Sequence, residues 1–129
     1  MTWQQARKDA EFRLRAFLER VIREGRDARE VQTTLPLYEE EKMLEAMEPG
    51  NKWPLQYHQQ VTRAAMRILR THKFPVSIVR LTEDDYMQWL DGQTDTSEMR
   101  QQFVREKLGH GSIQREMGFG EHSGRHLVS

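Results

Sequence analysis

Apolar residues recur every three or four positions over the first 22 residues, at Trp3, Ala6, Ala10, Leu14, Phe17, Leu18, Val21 and Ile22. That period is the signature of one apolar helix face. Thr2 with Gln5 forms a candidate capping box at its start, and Gly25 supplies a stop. Arg7, Arg13, Arg15, Arg20 and Arg23 alternate with Asp9, Glu11, Glu19 and Glu24 around the rest, the pattern of a solvated surface laced by i,i+4 pairs.

Asp27 and Glu30 then open a short helical turn through Val31. Pro36 suits a first helical turn, so the reading places a helix over residues 36–47. Leu37, Leu44 and Met47 lie on one side of it, with Glu39, Glu40, Glu41, Glu45 and Glu48 on the other. Pro49-Gly50-Asn51 is a turn. Pro54 opens the next helix, which carries Leu55, Val61, Ala65, Ile68 and Leu69 as its stripe. It ends at Lys73-Phe74-Pro75, because a residue before proline disfavours helical geometry.

Residues 76–81, Val-Ser-Ile-Val-Arg-Leu, read as the one β-strand of the chain. Thr82 with Asp85 caps a helix of about two turns holding Tyr86, Trp89 and Leu90. Thr96 or Ser97 caps a last helix with Met99, Phe103, Val104 and Leu108, stopped by Gly109. The reading is a mainly α, single helical domain over residues 1–108, of about five helices, with one short strand. Residues 109–129, with five glycines in the first sixteen, form a flexible tail. A lone strand leaves its edges open, and the expectation is that dimerisation or a partner completes it.

Composition sharpens this picture. At 129 residues and 15.4 kDa the chain is long enough to bury roughly two-thirds of its unfolded surface. With 36% hydrophobic residues and a mean hydropathy of −0.87, the core is small and the surface very polar. Cysteine is absent, which removes disulfides, thiolate metal sites and cysteine nucleophiles. No apolar run approaches the ~20 residues of a membrane span and no signal-peptide core is evident, so a cytoplasmic location is expected.

Charge changes the picture most. The chain holds 20 acidic and 20 basic residues, yet no acidic residue occurs between Glu48 and Glu83. The same stretch contains Lys52, Arg63, Arg67, Arg70, Lys73 and Arg80, with His58 and His72 among them. On a 3.6-residue period Gln56, Gln60, Arg63, Arg67 and Arg70 fall on one stripe, turned away from the Val61, Ala65 and Ile68 face. Three arginines one turn apart span about 10 Å, the reach of a few backbone phosphates. The candidate nucleic-acid contacts are therefore Gln56, Gln60, Arg63, Arg67, Arg70, Lys73 and Arg80. The competing reading pairs the stripe with the glutamates at 39–41 or with Glu83, Asp84 and Asp85. Trp53 and Tyr57 flank the start of the basic helix and would serve as a stacking platform if exposed.

Catalytic and metal chemistry find little support. His58 and His72 are 14 residues apart, about 20 Å along a straight helix, too far for one metal. His122 and His126 have i,i+4 spacing, but Gly124 lies between them, and with His110 they sit in the glycine-rich tail. No cofactor, no metal and no enzymatic activity are expected.

Val79, Arg80, Leu81 and Thr82, followed by Leu90, Ser97 and Glu98, resemble the strand and two capped helices of the ribbon-helix-helix DNA-binding family over about a quarter of the chain. The resemblance implies a dimeric regulator whose paired strands enter the major groove. The preferred expectation is a non-catalytic nucleic-acid-associated protein, a small helical subunit of a nucleoprotein complex or homo-oligomer. The alternative is an adaptor whose arginine stripe and strand edge bind an acidic protein partner.

Overall fold

The computed structural model describes residues 1–26 and 33–109. The helical turn expected from Asp27 and Glu30 lies outside the described residues, as does the tail from residue 110 onward with His110, His122 and His126. Seven elements follow in order: α1 (Trp3–Arg23), β1 (Thr33–Tyr38), α2 (Glu41–Met47), α3 (Leu55–Thr71), β2 (Val76–Leu81), α4 (Glu83–Leu90) and α5 (Ser97–Leu108). The mainly α architecture with five helices and a strand over 76–81 is as the sequence indicates.

The expectation of a single strand is corrected. Residues 33–38 form a second strand, and β1 pairs with β2 in parallel, Thr33 opposite Val76 and Tyr38 opposite Leu81. Pro36 lies inside β1 and does not open a helix; α2 begins only at Glu41. The pattern Thr-Thr-Leu-Pro-Leu-Tyr already alternates toward β structure. Proline is tolerated there because β1 is an edge strand, where one side of the backbone needs no N–H.

Side chains alternate across this two-stranded sheet and divide the core in two. Leu35, Val76 and Ile78 face α1 and α3, joining Leu14, Phe17, Leu18, Val21, Ala65, Ile68, Leu69 and Phe74. Tyr38, Val79 and Leu81 face the opposite side, joining Met43, Leu44, Met47, Tyr86, Leu90, Phe103 and Val104 from α2, α4 and α5. The sheet is thus a thin middle layer between two helical layers. Truncating a fully buried leucine such as Leu14 or Leu69 to alanine costs about 2–5 kcal/mol.

The helix ends follow local rules. Thr2 accepts from the Gln5 N–H at 3.2 Å while the Gln5 side chain accepts from the Thr2 N–H at 2.9 Å, completing the capping box. Thr82 and Thr96 cap α4 and α5 by accepting from the N–H groups of Asp85 and Met99, each at 3.1 Å. α1 ends on Gly25 in the left-handed region, with Gly25 N–H donating to Ile22 and Arg26 N–H to Val21. Ile22 is exposed, so the apolar stripe of α1 stops at Val21. α3 ends in the same motif, but with Lys73 in the left-handed position at φ 63°. Among the described residues, no helix is long and apolar enough to cross a membrane.

Candidate nucleic-acid interface

The chemistry of α3 follows from how its two faces are used. Val61, Thr62, Ala64, Ala65, Ile68 and Leu69 are buried against α1 and the sheet. Gln56, Arg63, Arg67 and Arg70 are exposed on the opposite side, and Lys73 is exposed just past the C-terminus. Among the described residues no carboxylate forms an ion pair with Arg63, Arg67, Arg70 or Lys73.

The acidic segments are engaged elsewhere. Residues 39–41 and 83–85 gather at the C-terminal ends of the two parallel strands. Glu39 accepts from Arg80 at 2.8 Å, and this bond holds the guanidinium above its already high ordinary pKa. Glu40 accepts from the backbone N–H of Glu83 at 2.8 Å, occupying the start of α4. Glu83 pairs with Arg100. Of the acidic residues that the competing reading assigns to the stripe, Glu39, Glu40 and Glu83 therefore serve Arg80, a helix N-terminus and Arg100.

Two of the seven candidate residues separate from the rest. Arg80 is exposed but lies at the end of β2, in its pair with Glu39. Gln60 sits on the flank of the stripe, and its side-chain oxygen accepts from Arg7 at 2.7 Å, joining α3 to α1. Gln56, Arg63, Arg67, Arg70 and Lys73 remain on one continuous face. Its contrast with α1 is chemical: there Arg13 pairs with Asp9, and Arg7 and Arg15 with Glu11, the i,i+4 pairs that the alternating pattern indicates.

Trp53 and Tyr57 are half-buried, their ring centroids 5.8 Å apart, and the Tyr57 ring meets His58 edge-on at 4.9 Å. Asn51 organises this corner: its side-chain oxygen accepts from Trp53 N–H at 3.1 Å and lies 2.8 Å from His58 Nε2. Burial lowers the His58 pKa to about 4, so the imidazole is neutral at physiological pH and adds no charge to the basic stretch. His72 Nδ1 lies 2.8 Å from the carbonyl of Ile68, at the opposite end of α3. Among the described residues no three His, Asp or Glu side chains converge as a metal site would require.

A buried polar cluster escaped the sequence reading. Arg100 on α5 is 6% exposed, donates to both carboxylate oxygens of Glu83 and to both of Asp95, and lies over the Tyr86 ring at 4.4 Å. Tyr86 donates its hydroxyl to Asp95 at 2.6 Å. Arg100 and Tyr86, both donating to it, hold the Asp95 carboxyl below its usual range. The signal was an arginine on the same helix face as Phe103 and Val104, where only a paired charge is tolerated. The cluster fastens α4 to α5.

Comparison with protein-family models, with curated proteins and with solved structures finds no match to this chain.

Proposed function

We propose that the exposed face of α3 binds the phosphate backbone of nucleic acid, and that the protein is a non-catalytic nucleic-acid-associated subunit. The observation that carries this reading is the row Arg63, Arg67 and Arg70, exposed and without a carboxylate partner among the described residues, while α1 pairs three of its arginines within the helix. Each arginine presents a planar donor fork suited to phosphate. Gln56 adds a donor and acceptor at the N-terminal end of the row and Lys73 a charge at the other. Arg80, held by Glu39, is left outside the contact set, and Gln60 acts by fixing α3 against Arg7.

Fluorescence anisotropy with labelled single-stranded DNA, duplex DNA and RNA tests the reading. Expected is micromolar or tighter binding that weakens steeply with salt and is lost in the Arg63/Arg67/Arg70→Ala variant. Absence of binding to all three probes at low salt would reject it and assign the row to an acidic protein partner.

A further inference from the structure

A two-stranded sheet has two outer edges, each a template for another strand. Here the two edges differ. The Glu39 N–H donates to the Leu81 carbonyl at 3.1 Å, which with the register fixes the phase of the ladder. Leu35 and Leu37 turn their backbone groups toward β2, while Pro36 and Tyr38 turn theirs outward. The outer edge of β1 is closed: Pro36 has no N–H to offer, its carbonyl accepts from the Thr62 hydroxyl at 2.7 Å, and the Tyr38 carbonyl accepts from the Gln59 side chain at 2.7 Å.

The outer edge of β2 is open. By the same register the N–H and C=O groups of Ile78 and Arg80 point away from β1, and among the described residues no group bonds to them. The flanking side chains match an incomplete sheet: Val76, Ile78 and Val79 are only half-buried, whereas Thr33, Leu35, Leu37 and Tyr38 of β1 are buried.

Charge along this edge selects the occupant. Arg70 and Lys73 precede β2, and Asp84 and Asp85 follow it beside Glu83, which Arg100 holds, so the strand runs from a basic end to an acidic end. A second copy aligned parallel would set like charges together; one aligned antiparallel sets each basic end beside an acidic end, twice, about a two-fold axis. We propose that the β2 edge is a self-association surface on which a second copy of this chain adds its own β2 antiparallel, giving a four-stranded sheet in the order β1-β2-β2-β1. Because the outer edge of β1 is closed, addition stops at two.

Sedimentation velocity of the full chain from about 1 to 200 µM tests this, since only self-association makes the sedimentation coefficient depend on concentration in this way. A dimer is expected for the unaltered protein. Lys73→Glu and Asp84→Lys, both at exposed positions, are each expected to dimerise about tenfold more weakly. Mixing the two variants is expected to restore association, because each reversed charge then meets an opposite charge on the other copy. The loss in each variant alone is what marks the pairing as antiparallel, since a parallel pair sets like charges together with or without the reversal. Circular dichroism checks that each variant is folded. A monomer throughout the range, or a mixture that associates no better than the separate variants, would overturn the proposal.

Discussion

The Thr62 hydroxyl, in the middle of α3, donates to the carbonyl oxygen of Pro36 at 2.7 Å, across 26 residues of sequence. The helix that presents the arginine row is thereby tied to the strand that the proline would otherwise weaken. Thr62 is 8% exposed, so the bond is shielded from water. Replacing it with valine keeps the shape and strands the Pro36 carbonyl. Thr62→Val is expected to cost about 1–2 kcal/mol in urea unfolding.

Lys73 occupies a left-handed conformation that glycine adopts freely and lysine does not. Its N–H donates to Arg70 at 3.0 Å and the next N–H, of Phe74, to Leu69 at 2.9 Å, so the geometry is enforced by the end of α3. Lys73→Gly relieves the strain but gives part of the gain back through a more flexible unfolded chain. Net stabilisation of about 0.5–1 kcal/mol is expected by thermal or chemical denaturation. The same variant is expected to weaken nucleic-acid binding, separating the fold from the contact.

His58 titrates near 4 in the folded protein and near 6.5 in an unfolded chain. Between those values the unfolded state takes up a proton that the folded state refuses. The contribution is therefore fully present above pH 6.5 and is lost as pH falls toward 4. Allowing for the partial exposure of the ring, stability is expected to drop by roughly 1–2 kcal/mol between pH 7 and 5. The drop should be absent in His58→Gln, and the His58 ring resonances followed by NMR should titrate near 4.

Arg100 neutralises two carboxylates from a buried position. Arg100→Met retains the aliphatic stem but leaves Glu83 and Asp95 facing each other without a cation. Because both carboxylates keep some solvent contact, the expected cost is about 2–3 kcal/mol, less than for a fully buried pair. Asp95 adds an acid-sensitive component. Its folded pKa is depressed, so its stabilisation holds above the ordinary carboxylate value near 3.9 and is lost as pH falls below it. Asp95→Asn is expected to flatten the acid limb of the stability curve.

The helices α1, α3, α4 and α5 were readable because each carries its own punctuation: Thr2 with Gln5, Thr82, Thr96, Gly25 and the Phe74-Pro75 stop all act within a few residues. The helix over 36–47 was misplaced because Pro36 is as compatible with a helix start as with an edge strand, and the tie decided by Thr62 and Gln59 is long-range. β1 and β2 are parallel and more than 35 residues apart, so local pattern shows β2 but neither β1 nor the pairing. The exposed arginine row was legible from period alone. That Gln60 faces Arg7, and that Arg80 is held by Glu39, depends on which elements the fold brings together.

Contact of Arg63, Arg67 and Arg70 with phosphate would be read from the salt dependence of duplex DNA affinity. Each phosphate neutralised contributes about 0.9 to the slope of log K against log salt. Arg67→Ala is expected to make that slope shallower by about 1, and the triple alanine variant by about 2–3, with the circular dichroism spectrum unchanged. A slope identical in the unaltered protein and the triple variant would show that the row makes no phosphate contact.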